Sequence, residues 1–330
     1  MRFVISIEAS HQRGMGHLFR GLHLGGALRH DGHHLCFVLN RDDRSLAILQ
    51  ESGFAHEVVE SYADAGWEGR IVRKHAPGWW INDRLDTDAG HAHAVTAAGV
   101  RLATFDDHGE GAALALHDFL AMDLSPAEIR PNGRYGPDYI ILNPAIDEYR
   151  LKRSVRANSG LVLVSMGGSD THGVTPGVVK SLAILKPGVA IHVVTGPNFQ
   201  HHDELAEAVR VTGASTTIHS QVPDLIGMMA DADIVVCGGG VTLFEAAAIG
   251  VPALTIANEP HEVPIAEWFA RQGFSINMGF HRDDFSGALS QGIARLLADH
   301  NARLRMGERG MSLVDTGGTA RIILLLEASS

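Results

Sequence analysis

The chain has 330 residues, 45% of them hydrophobic and 20% charged. That composition is globular and excludes a disordered or fibrous protein; at roughly 100–200 residues per domain the length predicts two domains. With 38 acidic against 27 basic residues the formal net charge is −11, so the positive footprint that nucleic-acid binding requires is missing.

No apolar run reaches the ~18–20 residues of a membrane span. The opening MRFVISIEAS reads as a strand followed by polar residues rather than as a signal peptide. Cys36 and Cys237 lie far apart and neither belongs to a ligand-spaced pair, which argues against a disulfide framework or a zinc site and predicts a soluble cytoplasmic protein.

In chain order, short apolar runs alternate with amphipathic stretches, the pattern of βαβ units and parallel sheets. The first half predicts strands at Arg2–Ile7, Leu35–Leu39, Trp79–Asn82, Arg101–Phe105 and Tyr139–Leu142, with a helix over His17–Leu28 stopped by Gly32. Pro144–Gly160 is polar, charged and without sustained period, and reads as the hinge. The second half predicts strands at Leu161–Ser165, Ala190–Val194, Ile234–Cys237, Ala253–Ala257 and Ser275–Met278. Helices fall between them at Thr175–Leu185, Asp203–Val211, Thr242–Ile249, Pro264–Gln272 and Asp284–Ala298. The expected architecture is α/β, with two Rossmann-like doubly wound domains (1–146 and 147–330) facing across a cleft at their strand carboxyl ends.

Three glycine turns follow strands. Gly14-Met15-Gly16-His17-Leu18-Phe19-Arg20 opens the first helix. Two glycines let the backbone come close to a ligand, and the helix start favours an anion or electron-rich group. A dinucleotide fingerprint would need glycine where Phe19 stands, and no ribose-binding acid ends the second strand. The positive end of a helix disfavours an imidazolium, so His17 is placed to accept a proton as a general base; the competing role is a histidine that packs or caps. Cys237-Gly238-Gly239-Gly240-Val241-Thr242-Leu243-Phe244-Glu245 ends a buried strand and starts an alanine-rich helix closed by Gly250 and Pro252. Its amides suit a diphosphate, and Glu245 suits a ribose diol. Thr242-x-x-Glu245 also matches a capping box; the triple glycine, which a cap does not require, favours the ligand. Met166-Gly167-Gly168-Ser169-Asp170 serves equally as a ligand turn or a helix cap.

The remaining chemistry is mostly negative. GxxxxGK[ST] and HExxH are absent. Asp231 and Asp233 read as solvated turn residues, Asp106 and Asp107 as structural or substrate-orienting rather than metal-binding. The clustered His30, His33 and His34, without an apparent carboxylate partner, and His91 and His93 all read as solvent-exposed.

These stretches resemble the GT-B architecture of nucleotide-sugar enzymes. The chain is most similar to the UDP-sugar hydrolases of the pseudaminic acid pathway (PseG type) and their spore-coat polysaccharide relatives (SpsG type). The matching segments are Gly14–Arg20, Phe105–Asp107, Val164–Asp170, Ala232–Pro252 and Ala266–Phe274, in order over nearly the whole chain. The resemblance implies that His17 is the catalytic base, activating water against the anomeric carbon. It implies that Gly238, Gly239, Gly240, Val241, Thr242 and Glu245 hold the UDP phosphates and ribose; the glycine turn at Gly167, Gly168 and Ser169 is expected to line the same nucleotide site. The sugar side would comprise Gly14, Met15, Gly16, Arg20, Asp83, His261 and Glu262. Two departures stand out: Asp83-Arg84-Leu85 replaces an Asp-x-Tyr, and Asn258-Glu259-Pro260-His261-Glu262 stands where Asn-Gln is common. The expected reaction is inverting hydrolysis of a UDP-linked amino or deoxy sugar for a nonulosonic-acid-type surface glycan, with no cofactor and no metal. The alternatives are a GT-B glycosyltransferase, a non-catalytic nucleotide-sugar-binding protein and, more remotely, a nucleotide-sugar epimerase.

Overall fold

The computed structural model describes every residue except 9–14, 65, 159, 186–187, 213–214, 221 and 330. The chain divides into two units, Met1–Ile141 with Gly317–Ser330, and Leu142–Thr316. The first unit holds strands β1 (Arg2–Ile7), β2 (His34–Asn40), β3 (Ala55–Val59), β4 (Trp79–Asp83), β5 (Arg101–Phe105), β6 (His117–Leu120) and β7 (Gly133–Tyr135). Its helices are α1 (Gly16–His30), α2 (Asp43–Glu51), α3 (Trp67–His75) and α4 (Ala89–Ala97). The second unit begins with α5 (Ile146–Lys152), then β8 (Leu161–Ser165), α6 (Val174–Leu182), β9 (Ala190–Thr195), α7 (His202–Thr212), β10 (Thr216–Ser220) and α8 (Leu225–Asp231). It continues with β11 (Ile234–Cys237), α9 (Val241–Ile249), β12 (Ala253–Ala257), α10 (Glu262–Arg271), β13 (Ser275–Phe280), α11 (Ser286–Ala298) and α12 (His300–Leu313). The last helix, α13 (Gly318–Ala328), returns to the first unit.

The sheets run β3-β2-β1-β4-β5-β6-β7 and β10-β9-β8-β11-β12-β13, with parallel neighbours throughout. In each, the first strand in the chain lies mid-sheet and the winding reverses beside it, between β1 and β4 in one unit and between β8 and β11 in the other. The central strands are covered on both faces, which is why they read as unbroken apolar runs. In the first unit Phe3, Ile5, Ile7, Trp79 and Ile81 pack with Leu18, Leu24 and Ile322, while Val4, Val38 and Trp80 face Trp67 and Ile71 on the other side.

Three expectations need correction. Tyr139–Leu142 is not a strand: Pro137–Tyr139 is a 3₁₀ turn and the sheet edge is made by β6 and β7 instead. Ile140 and Ile141 are apolar and buried because α13 packs on them, a Cβ at Gly318 falling 2.1 Å from the Ile140 carbonyl oxygen. Consequently residues 317–330 do not belong with the second unit, and the division falls five residues earlier than expected. Trp79 Nε1 donates to the Leu326 carbonyl at 3.1 Å, tying the returning helix down. Pro144–Gly160 is no free hinge either. It contains α5, and Arg150 donates to the carbonyls of Ala248, Val314 and Met311 within the second unit.

Candidate functional site

In the first unit α1 lies close on the sheet because Gly21 and Gly25 carry no side chain: a Cβ at Gly21 falls 2.5 Å from Ile7, and one at Gly25 2.9 Å from Phe37. The first turn of α1 therefore ends over the carboxyl ends of β1 and β4, where the winding reverses and ligands of such sheets bind. His17 Nδ1 stands 2.5 Å from Asp83 Oδ1. Arg20 donates through Nε to Asp83 Oδ2 at 2.7 Å, through Nη2 to Asp83 Oδ1 at 2.5 Å, and through Nη1 to Asp106. Met122 N donates to the other Asp106 oxygen at 2.9 Å, and the Arg20 guanidinium lies 5.4 Å from the Phe105 ring centre.

The electrostatics fix the tautomer. Burial pushes the Asp83 carboxyl up, but the Arg20 guanidinium and His17 outweigh it and hold it well below the usual range. An ionised carboxylate only accepts, so Nδ1 of His17 carries the donated proton, and Nε2 is the ring nitrogen left for proton transfer. That is the arrangement of an oriented general base. Arg20 is likewise disfavoured by burial and held cationic by Asp83 and Asp106. Arg20 and Asp83, expected on the sugar side, are thus buried and committed to each other. Met15 is also in the core, 2% exposed, so its side chain is not presented to a sugar. Gly14 lies outside the described residues, and Gly16 has open space where a Cβ would stand.

In the second unit the three relevant turns follow β8, β11 and β12, adjacent strands in which Ser165, Cys237 and Thr255 are in register. Gly167 has φ +89° with open space beside it, and Ser169 is buried. Asp170 caps α6, its two oxygens accepting from Val174 N and Thr175 N at 2.8 Å each. The capping box at Thr242 and Glu245 does not form: α9 starts at Val241 behind Gly240, without a side-chain cap. Its first amides, those of Val241 and Thr242, are left over by the helix geometry. Glu245 is half-buried, and burial pushes its carboxyl up to about 7.

Glu262 departs from its expected role. Its Oε2 accepts from Gly239 N at 3.1 Å and from Asn258 N at 2.8 Å. A Cβ on Gly239 would lie 2.6 Å from the Glu262 carbonyl oxygen and 2.8 Å from its Cβ. The triple glycine therefore admits the first turn of α10, and the Gly239 amide already holds a carboxylate. His261 is exposed at the start of α10.

Backbone strain marks both sites. Four non-glycine residues have positive φ among the described residues, and three of them, Leu85, Asp106 and Asp170, follow the carboxyl ends of β4, β5 and β8. Such conformations cost about 1–3 kcal/mol each and collect at functional sites.

Asp107 is buried and accepts from Thr87 N and Gly109 N at 2.9 and 2.8 Å, the structural one of its two expected roles. Other expectations change with the structure. Asp233 is not solvated but buried, bound by Arg156, Gly160 N and Leu161 N. His91 is buried between Glu68, 3.1 Å away, and Asn82; His33 does have a carboxylate partner, Glu327, at 3.0 Å. Sequence reasoning misses the pairing of His17 with Asp83. Its one visible sign is an aspartate at the carboxyl end of a strand.

The fold is that of the GT-B glycosyltransferases. MurG of Acinetobacter baumannii superposes with a TM-score of 0.73 at 14% identity, covering 99% of this chain and all of that one. HepE of Anabaena, solved in complex with UDP, superposes with a TM-score of 0.68 at 15% identity over the whole of both chains. Residues 158–312 match the family of group 1 glycosyl transferases. In sequence the chain is 25% identical to the spore coat polysaccharide biosynthesis protein SpsG of Bacillus subtilis, covering 99% of this chain and 98% of that protein. Other curated relatives are longer, and the chain spans about half of their length. No helix among the described residues is long and apolar enough to cross a membrane.

Proposed function

We propose that the protein is an enzyme acting on a nucleoside-diphosphate sugar, UDP-linked, with the base on the first unit and the nucleotide site on the second. The observation that carries this reading is the His17–Asp83–Arg20 constellation at the reversal of the first sheet. The Gly238–Glu245 turn at the reversal of the second sheet supports it. Nε2 of His17 takes a proton from water as the water oxygen bonds to the anomeric carbon. The bond from that carbon to the diphosphate oxygen breaks, UDP leaves, and the sugar is released with inversion. Charge growing on the leaving diphosphate is met by the Val241 and Thr242 amides, a donor in such a position being worth about 3–4 kcal/mol. Glu245 accepts from the ribose hydroxyls, and His261 lies on the sugar side. The full-length similarity to a spore-coat polysaccharide biosynthesis protein supports a place in surface-glycan assembly.

A second reading, transfer to an acceptor hydroxyl, is favoured by the match of residues 158–312 to group 1 glycosyl transferases. The same base serves both. Incubation with a panel of UDP-sugars, analysed by mass spectrometry with and without candidate acceptors, separates them. Free sugar plus UDP without acceptor supports hydrolysis, and turnover only with acceptor supports transfer. Thermal stabilisation by UDP with no turnover on any donor refutes both and leaves a binding protein.

A further inference from the structure

At the opposite end of the first sheet, three side chains from three elements converge. Cys36 on β2, Glu57 on β3 and His75 at the end of α3 place a sulfur, a carboxylate oxygen and a ring nitrogen within 4.8 Å of one another. The sheet register explains two of them. Cys36 pairs with Ala55, and Glu57, two residues on, points to the same face because side chains alternate along a strand. His75 comes down on that face from the last turn of α3, whose chain then reverses through Ala76 at φ +44°.

The contacts separate two kinds of chemistry. His75 Nε2 lies 2.9 Å from Glu57 Oε1 and 3.7 Å from Cys36 Sγ. One nitrogen faces both partners. A nucleophile relay needs the two ring nitrogens on separate partners, so this is a convergent set and not a Cys–His–Glu triad.

We propose that Cys36, Glu57 and His75 form a binding site for a divalent, borderline-soft metal ion of the Zn²⁺ class, with an open fourth position. Zinc takes sulfur at about 2.3 Å and nitrogen or oxygen at about 2.0–2.2 Å in a tetrahedron, which sets S···N near ~3.6 Å and N···O near ~3.4 Å. The observed 3.7 and 2.9 Å lie within about half an ångström of those edges. The negative end of α3 favours a cation there. Cys36 and His75 also line a cavity of about 460 Å³ with Arg2, His34 and Lys74, giving the fourth position room for water or an anion. In the ion's place Glu57 Oε1 holds the ammonium of Lys74 at 2.6 Å; that side chain is largely exposed and free to swing away. Binding converts the Cys36 thiol to thiolate, forms the S–metal bond and releases one proton to solvent. The site is separate from the His17 constellation: Cys36 pairs with Val4, three residues before Ile7, which pairs with Asp83, about 10 Å back along the strands.

The test uses the full-length protein, stripped with chelator and titrated with Co²⁺ and then Zn²⁺. The expected result is one equivalent of Co²⁺ with a sulfur-to-cobalt charge-transfer band, displaced by Zn²⁺. The band is lost in C36S, and affinity falls at least tenfold in H75Q. K74M binds more tightly than wild type, a change of sign that a purely structural role for these residues would not give. Because Cys36 is buried, H75Q and K74M carry the decision if C36S fails to fold by circular dichroism. Absence of the band at stoichiometric cobalt, its persistence in folded C36S, or unchanged zinc affinity in both H75Q and K74M overturns the proposal.

Discussion

Replacing Asp83 with asparagine tests the catalytic assignment most directly. The Asp83 carboxylate is buried and receives three contacts, from His17 Nδ1 and from Arg20 Nε and Nη2. An amide offers one acceptor oxygen and one donor nitrogen, so it cannot serve the two residues as the carboxylate does. If its oxygen stays on Arg20, its NH₂ faces His17. The imidazole then accepts at Nδ1 and carries its proton on Nε2, the wrong tautomer for a base. The same change in other His–Asp enzymes costs about 10⁴ in kcat, and we expect a 10³–10⁴-fold fall here, roughly 4–5.5 kcal/mol at 1.36 kcal/mol per decade. Arg20 keeps Asp106, so the stability loss should stay below the ~3–5 kcal/mol of a fully broken buried pair. About 2–3 kcal/mol is expected, a Tm lower by roughly 5–10 °C. Steady-state UDP release on the preferred donor and calorimetry measure both. A D83N variant with kcat within a few-fold of wild type, or with only KM raised, refutes the orienting role and returns Asp83 to the sugar side.

H17N should bind UDP within about twofold of wild type while kcat falls about 10²–10⁴-fold; isothermal titration showing lost UDP affinity would make His17 a ligand instead. The Glu245 carboxyl is raised to about 7 by burial, so the folded state holds its proton more tightly than the unfolded chain. This group therefore favours folding at low pH, and that contribution fades as pH climbs through about 7. Urea midpoints of E245Q should accordingly gain on wild type between about pH 5 and pH 8; a difference independent of pH contradicts the burial account. G196A places a Cβ 2.3 Å from the Gly168 carbonyl oxygen and 2.4 Å from its Cα, backbone that cannot step aside. It should cost about 1–3 kcal/mol and weaken UDP binding; an unchanged Tm and affinity would show that the Gly168 turn tolerates displacement.

What is legible in the sequence follows from burial. β8, β11 and β12 are covered on both faces and appear as apolar runs at their observed bounds, whereas the edge strands β3 (AHEVV) and β10 (TTIHS) are short, polar and half-exposed, and escape a reading of apolar runs. Tyr139–Leu142 reads falsely as a strand because burial under α13 leaves the same apolar signature as burial in a sheet. The same limit applies to the sites. The glycine turns and His17 are local and visible. The partnership of His17 with Asp83 depends on β1 lying beside β4, a fact of strand order that no spacing encodes. Cys36, Glu57 and His75 are separated by 21 and 18 positions along the chain, outside any metal-ligand spacing, and only the β2–β3 register and the end of α3 bring them together.

The triple glycine shows how one sequence feature can carry two physical demands. Read alone, Gly238-Gly239-Gly240 suggests a backbone opened for a diphosphate. Folded, it is opened for the first turn of α10, and the Gly239 amide is taken by Glu262. Under the proposed function the diphosphate then depends on the Val241 and Thr242 amides and approaches with a fixed negative charge beside it. Two like charges in a partly buried site repel, so Glu262 should weaken nucleotide binding even as it holds Gly239 and Asn258 in place. E262Q keeps an acceptor oxygen for those amides and removes the charge. It should bind UDP about three- to tenfold more tightly, a gain of roughly 0.6–1.4 kcal/mol, with a smaller salt dependence. Titration calorimetry at two ionic strengths measures it. Weaker UDP binding with an unchanged salt response would mean that the carboxylate's hold on the turn outweighs its repulsion; unchanged UDP binding with lost turnover would place Glu262 on the sugar.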